Sequence, residues 1–125
     1  MRPVRLASVL GVLGVLAVAS AHADGDAARG EKRFEECVPC HALARGAETV
    51  GPSLFGVFTR KAGEGGDFRY SPALKRSGIT WSEQSLDQFI ADPQAVVPGN
   101  RMPFAGVTDA AARADLIAYL VKTFK

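Results

Sequence analysis

Both cysteines of the chain fall within five residues, Cys37-Val38-Pro39-Cys40-His41, and no other feature limits the possible folds as strongly. A Cys-x-x-Cys pair has three chemical readings. It can be a redox-active disulfide of the thioredoxin type, half of a zinc site, or an attachment sequence for c-type haem. The compartment and the remaining ligand-forming residues decide among them.

The N-terminus reads as an export signal. Met1-Arg2-Pro3-Val4-Arg5 is a short basic start, Leu6 to Ser20 is apolar, and Ala21-His22-Ala23 is a small-x-small cleavage site before Asp24. The apolar run, at about 15 residues, is shorter than the ~20 needed to span a bilayer, so no stable membrane insertion is expected. The plain alternative is an uncleaved amphipathic anchor. Cleavage after Ala23 places residues 24–125 in the periplasm as a single domain of 102 residues, too short for a second. Arg2 and Arg5 leave with the signal. The precursor charge of +2 then becomes zero, with 13 basic and 13 acidic residues. A neutral domain makes nucleic acid a poor partner, because phosphate neutralisation supplies most of that affinity. At 47% hydrophobic and 22% charged residues the composition is that of a globular chain, not a disordered one.

Elimination follows. His22 and Met1 leave with the signal, so the mature part holds one histidine, His41, and one methionine, Met102. A structural zinc site needs about four protein ligands, which this chain does not have. A thioredoxin motif belongs between a strand and a helix of a βαβ unit, and no β-branched strand runs of that kind occur. The histidine directly after the second cysteine favours haem c: Cys37 and Cys40 fix the macrocycle by thioethers while His41 reaches the iron from the same turn. A bis-histidine iron within one chain is excluded. If the iron takes a sixth protein ligand, Met102 leads; the plain alternative is a methionine filling a gap in the core. Pro98 and Pro103 around it rule out a regular helix over 97–104 and suit a stiff strap laid across a flat ligand.

Three main helices and a short one are legible. Asp26 caps a first helix running to about Cys37. Gly30 and Phe34 share one of its faces, and Gly30, costly in an isolated helix, asks for a closely crossing partner. Thr80-Trp81-Ser82-Glu83 fits a capping box, Thr80 with Glu83, for a second helix carrying Leu86, Phe89 and Ile90 and stopped at Asp92 by Pro93. A third starts near Thr108-Asp109 and buries Leu116, Ile117, Leu120, Val121 and Phe124, with Lys122 and Lys125 in its last turn. Ser71-Pro72 opens the short helix, which ends before Gly78. Residues 42–70 show little periodicity. So long a loop counts against a compact domain unless it packs on a cofactor.

The ordered series Cys37-x-x-Cys-His41, Gly51-Pro52-Ser53-Leu54, Phe68-Arg69-Tyr70-Ser71, Ile79-Thr80-Trp81, Pro98-Gly99-Asn100-Arg101-Met102 and Arg113-Ala-Asp-Leu-Ile-Ala-Tyr-Leu120 closely resembles the class I c-type cytochromes. The likeness runs from Gly25 to about Phe124. It implies an all-α fold around one covalent haem c, with His41 and Met102 as axial ligands. It implies that Gly30 and Phe34 cross the last helix at Leu116 and Tyr119, and that the Pro52 carbonyl accepts the His41 Nδ1–H. Arg60, Tyr70 and Trp81 match residues that bond the haem propionates; without the resemblance they read as a surface arginine and two core aromatics.

Two departures stand out. Phe89 replaces a tyrosine that often bonds the ligand sulfur, so Phe89→Tyr is expected to shift the midpoint potential. Glu36 and Gln94 stand where lysines often ring the haem edge, leaving mainly Lys32, Lys61, Lys75 and Arg101 to steer partners.

His/Met ligation raises haem potential and leaves no open coordination site. The expected function is therefore one-electron transport by a monomeric periplasmic carrier, not an enzyme. Expected partners are redox proteins: a quinol–cytochrome c reductase, an oxidase, a reaction centre or a dehydrogenase. Three competitors remain open: a dedicated haem subunit of one enzyme complex, a peroxide- or gas-reactive haem protein if Met102 does not ligate, and a disulfide oxidoreductase.

Overall fold

The computed structural model describes residues 24–47 and 49–124. The expected signal over 1–23, its cleavage site after Ala23, and Lys125 of the expected last turn lie outside them. Five helices follow in order: α1 Ala27–Phe34, α2 Pro72–Arg76, α3 Glu83–Ala91, α4 Pro93–Val96 and α5 Ala110–Phe124. Among the described residues there is no strand, only an isolated antiparallel bridge between Lys61 and Thr80. No helix of the described residues is long and apolar enough to cross a membrane.

Asp26 caps α1 as expected, its carboxylate accepting the Arg29 amide at 2.9 Å. The helix stops at Phe34, three residues before the expected end. Pro39 lacks the amide that would close the next turn, and the chain continues through single turns such as His41 N–H to the Cys37 carbonyl at 2.9 Å. The cap of α3 is Ser82, not Thr80. Ser82 and Ser85 each accept the other's amide, at 3.1 and 2.8 Å. The cause lies just upstream, where Thr80 and Trp81 are held extended by pairing with residues 59–61, so the helix opens one residue after Trp81. Pro93 ends α3 but starts α4, an extra turn capped by Asp92. Asp109 accepts the Ala112 amide and opens α5.

Helix α1 crosses α5. A Cβ at Gly30 would fall on the Asp115 carbonyl and lie 2.8 Å from the Tyr119 Cβ. The expected contact with Tyr119 is there, with the Phe34 and Tyr119 rings 5.4 Å apart; at Gly30 the nearest atoms belong to the backbone of Asp115, the residue before Leu116. Asp115 also ties the crossing electrostatically. Its carboxylate accepts the Asp26 amide at 2.7 Å and the Arg29 Nε and Nη2 at 2.8 and 2.9 Å. These bonds hold the Asp115 carboxyl below its ordinary range and raise the Arg29 guanidinium. Arg113 of α5 donates to Asp87 of α3 at 2.8 Å.

Phe34, Leu116 and Leu120 form the centre of the core, joined by Leu86, Phe89 and Ile90 of α3. Burying each of these large side chains is worth about 1.5–3 kcal/mol. Among the described residues from 42 to 70 there is no helix, in line with the missing periodicity. That segment and the 97–107 strap pack around a cavity.

Candidate functional site

The cavity has a volume of about 460 Å³, within the usual range for a bound cofactor. Cys37, Cys40, His41, Pro52, Arg60, Tyr70, Trp81 and Met102 all line it. The structure thus brings together every site residue expected from the sequence.

The turns after α1 place both thiols at one edge, half-buried and not joined to each other. Burial, with Glu36 and Cys40 adding negative charge, pushes the Cys37 thiol up to about 11. The His41 Nδ1–H donates to the Pro52 carbonyl at 2.7 Å. Burial lowers the His41 pKa, and this bond partly opposes the shift. At neutral pH the ring is therefore uncharged, with its proton on Nδ1 and a lone pair left on Nε2. Gly51 fits against this ring. A Cβ there would stand 2.9 Å from His41 Cε1 and 2.9 Å from the Cys40 carbonyl, so any side chain would tilt the imidazole. The Cys40 carbonyl is itself fixed by the Gly51 amide at 2.7 Å and the Thr49 hydroxyl at 2.6 Å.

Met102 sits on the irregular strap that the flanking prolines predict. Its amide donates to the side-chain oxygen of Asn100 at 2.8 Å. The Asn100 amide group donates in turn to the carbonyls of Pro93 and Val97, at 2.8 and 2.9 Å. Gln94 closes the turn, donating to the Asn100 carbonyl at 3.0 Å. Buried Asn100 therefore braces Met102 against α4. Sequence reading passed over this role, although an asparagine after Pro-Gly in a loop is a residue type that bonds its neighbouring backbone. Gly51 and Thr49 were missed in the same way.

Arg60 and Trp81 lie side by side through backbone pairing, the Trp81 amide donating to the Arg60 carbonyl at 2.9 Å. The Arg60 Nη1 and Nη2 donate to the carbonyls of Phe55 and Ser53, both at 3.0 Å. Its Nε is buried with no acceptor among the described residues. The Tyr70 hydroxyl donates to the Glu64 carbonyl at 3.3 Å. Phe89, edge-on to Trp81 at 5.1 Å, presents a hydroxyl-free ring to the cavity.

These residues fit a haem. Two thiols, one oriented neutral imidazole and one thioether share an apolar cavity walled by Leu74, Trp81, Phe89 and Phe104. The orphaned Arg60 Nε is a donor in want of an anionic partner, as a carboxylate-bearing macrocycle supplies. Fold and site together define a class I c-type cytochrome.

Comparison with known proteins narrows this further. The chain is 45% identical to cytochrome c2 of Blastochloris viridis over 113 residues, which cover 90% of this chain and 89% of that protein. It is 45% identical over 98 residues to cytochrome c of Chlamydomonas reinhardtii, covering 77% and 88%. The structure of cytochrome cH from Methylobacterium extorquens matches with a TM-score of 0.74 and 48% identity, over 78% of this chain and 99% of that one. No family model matches. The chain belongs to the cytochrome c family, within its cytochrome c2 and cytochrome c branch. It is an electron carrier holding haem c covalently through Cys37 and Cys40, and it is not an enzyme.

Proposed function

We propose that His41 and Met102 are the two axial ligands of the haem iron, and that Pro52, Arg60, Tyr70 and Trp81 hold the ring and its propionates. The carrier works in the periplasm after cleavage at Ala23. It moves single electrons between membrane redox complexes or periplasmic dehydrogenases and a terminal acceptor.

The observation that carries this reading is the bond from His41 Nδ1–H to the Pro52 carbonyl at 2.7 Å, which leaves Nε2 as the free donor in a cavity that Met102 also lines. The bound haem supplies reversible one-electron chemistry at its iron. The chain's residues do the rest. Pro52 fixes the His41 tautomer and raises its basicity. Asn100 holds the Met102 backbone, so the sulfur has little freedom to leave when the charge on the iron changes. The aromatic wall keeps water out and so limits rearrangement on electron transfer.

A redox-titrated visible spectrum of purified protein tests the reading. It predicts a single one-electron wave, low-spin bands in both oxidation states, and the long-wavelength ferric band of sulfur-bonded iron. High-spin ferric bands would instead favour a reactive haem. For the partners, the acidic Glu36 at the cavity and the zero net charge of residues 24–125 predict a rate with oxidase or reductase that falls only gently as salt rises. A steep fall contradicts this. On size exclusion of native extracts the carrier elutes as a free monomer; co-elution with one complex would make it a dedicated subunit.

A further inference from the structure

We propose that Gly65 is a positioning residue that clamps the Arg60 guanidinium against the haem cavity, and so sets how strongly this charge disfavours the oxidised iron. The proposal rests on the reading of Arg60 as a residue facing the haem.

Arg60 is not a loose surface side chain. Its two terminal nitrogens are tied to the Phe55 and Ser53 carbonyls at 3.0 Å each, and its Nε is buried. Gly65 lies directly on the same side chain. A Cβ at Gly65 would stand 2.8 Å from Arg60 Cδ, 3.0 Å from Nε and 3.0 Å from Nη1. These are the rigid end of one guanidinium, so the group has to move as a whole. In a free arginine such crowding is relieved by a rotation. Here rotation breaks one or both bonds to the carbonyls.

The strap that carries Gly65 is itself anchored. The Tyr70 hydroxyl donates to the carbonyl of Glu64, the preceding residue, and Tyr70 lines the same cavity. Gly65 has φ of +118°, a conformation that residues with a side chain rarely adopt. A turn needs glycine for that backbone alone. Gly78 is such a case, with φ of +71° and nothing within 4 Å of a Cβ. At Gly65 the backbone demand coincides with contact on a charged cavity residue, and that contact carries the inference.

Its electrostatic consequence has a fixed sign. The ferric haem carries one more positive charge than the ferrous, so a cation held at the cavity wall disfavours it and raises the midpoint potential. Coulomb interaction weakens with distance. Moving the guanidinium therefore changes the potential, downward if it retreats from the haem and upward if it is pressed closer, and the movement needs no change in the ligands.

The test is spectroelectrochemistry of the holoprotein in a double-mutant cycle. Arg60→Ala is expected to lower the midpoint, and Gly65→Ala to shift it by a smaller amount. Arg60→Ala/Gly65→Ala is expected to match Arg60→Ala alone, and Gly78→Ala to leave the midpoint unchanged. Equal Gly65→Ala shifts with and without Arg60, or no shift at all, would overturn the proposal. An unchanged midpoint in Arg60→Ala alone would overturn the reading of Arg60 beneath it as well. If Gly65→Ala loads haem poorly, the proposal requires Arg60→Ala in the same chain to restore loading; failure to restore it overturns the clamp.

Discussion

The side-chain oxygen of Asn100 accepts the amide of Met102 at 2.8 Å, so the only methionine of residues 24–125 is held two residues from a buried anchor. Three bonds converge on that side chain: Pro93 and Val97 take its protons, and Met102 gives one. Asn100→Ala leaves the Met102 amide without its acceptor, while the Pro93 and Val97 carbonyls each keep one backbone donor, the amides of Val97 and of residue 100. A loss of about 1–3 kcal/mol in stability is expected. If Met102 ligates, added imidazole will also bind the ferric protein more tightly than in the parent, because the strap opens more readily. Stability loss with unchanged imidazole affinity would mean that Asn100 supports the fold only.

Gly30→Ala provides a test of sign. Helix propensity alone predicts a gain of up to about 1 kcal/mol for alanine in α1. The Asp115 carbonyl occupies the place of the new Cβ, so overpacking, typically about 1–3 kcal/mol, should win and the variant should be less stable. Denaturant unfolding of holoprotein decides it, and a more stable variant would show that α1 and α5 can separate without loss.

Asp115 gives a pH dependence. Its carboxyl is held below the ordinary range by the Arg29 guanidinium first and the Asp26 amide second. A group with a depressed folded-state pKa stabilises the fold above its unfolded pKa, about 3.9, and loses that contribution as pH falls further. Asp115→Asn is therefore expected to be less stable at neutral pH and to show a shallower decline below about pH 4. Urea midpoints measured across that window check both. Parallel curves for the two proteins would remove Asp115 from the acid response.

Phe89→Tyr tests the cavity wall. Phe89 is buried against Trp81 and lines the cavity. A hydroxyl there that donates to the ligand sulfur withdraws density from the iron and favours the ferrous state, so the midpoint potential should rise. An unchanged potential would place the residue outside the electronic environment of the iron.

What could be read from sequence followed local rules. Asp26, Ser71 and Pro72 announce their helices by capping chemistry, and Gly30 announces a crossing because nothing else justifies it there. The eight cavity residues came from spacing, elimination and family likeness. The misplaced cap shows where local rules end. Thr80 has a good capping sequence, but it pairs with Lys61, nineteen residues away, and meets α3 only through its carbonyl, which accepts the Ser85 hydroxyl at 2.9 Å. Asp115 was invisible for a related reason. It occupies a polar position beside an apolar stripe, and its partners Arg29 and the Asp26 amide, 86 and 89 residues distant, explain its burial. Gly51 and Asn100 act on backbone and ring atoms whose positions no periodicity reports.

The central claim is that one imidazole and one thioether grip the iron in both oxidation states. X-ray absorption at the iron edge of the purified holoprotein tests it most directly. The account predicts one sulfur scatterer bonded to iron in the oxidised and the reduced protein alike, absent in Met102→Ala. A first coordination sphere without sulfur in either state, or one unchanged by Met102→Ala, would contradict it.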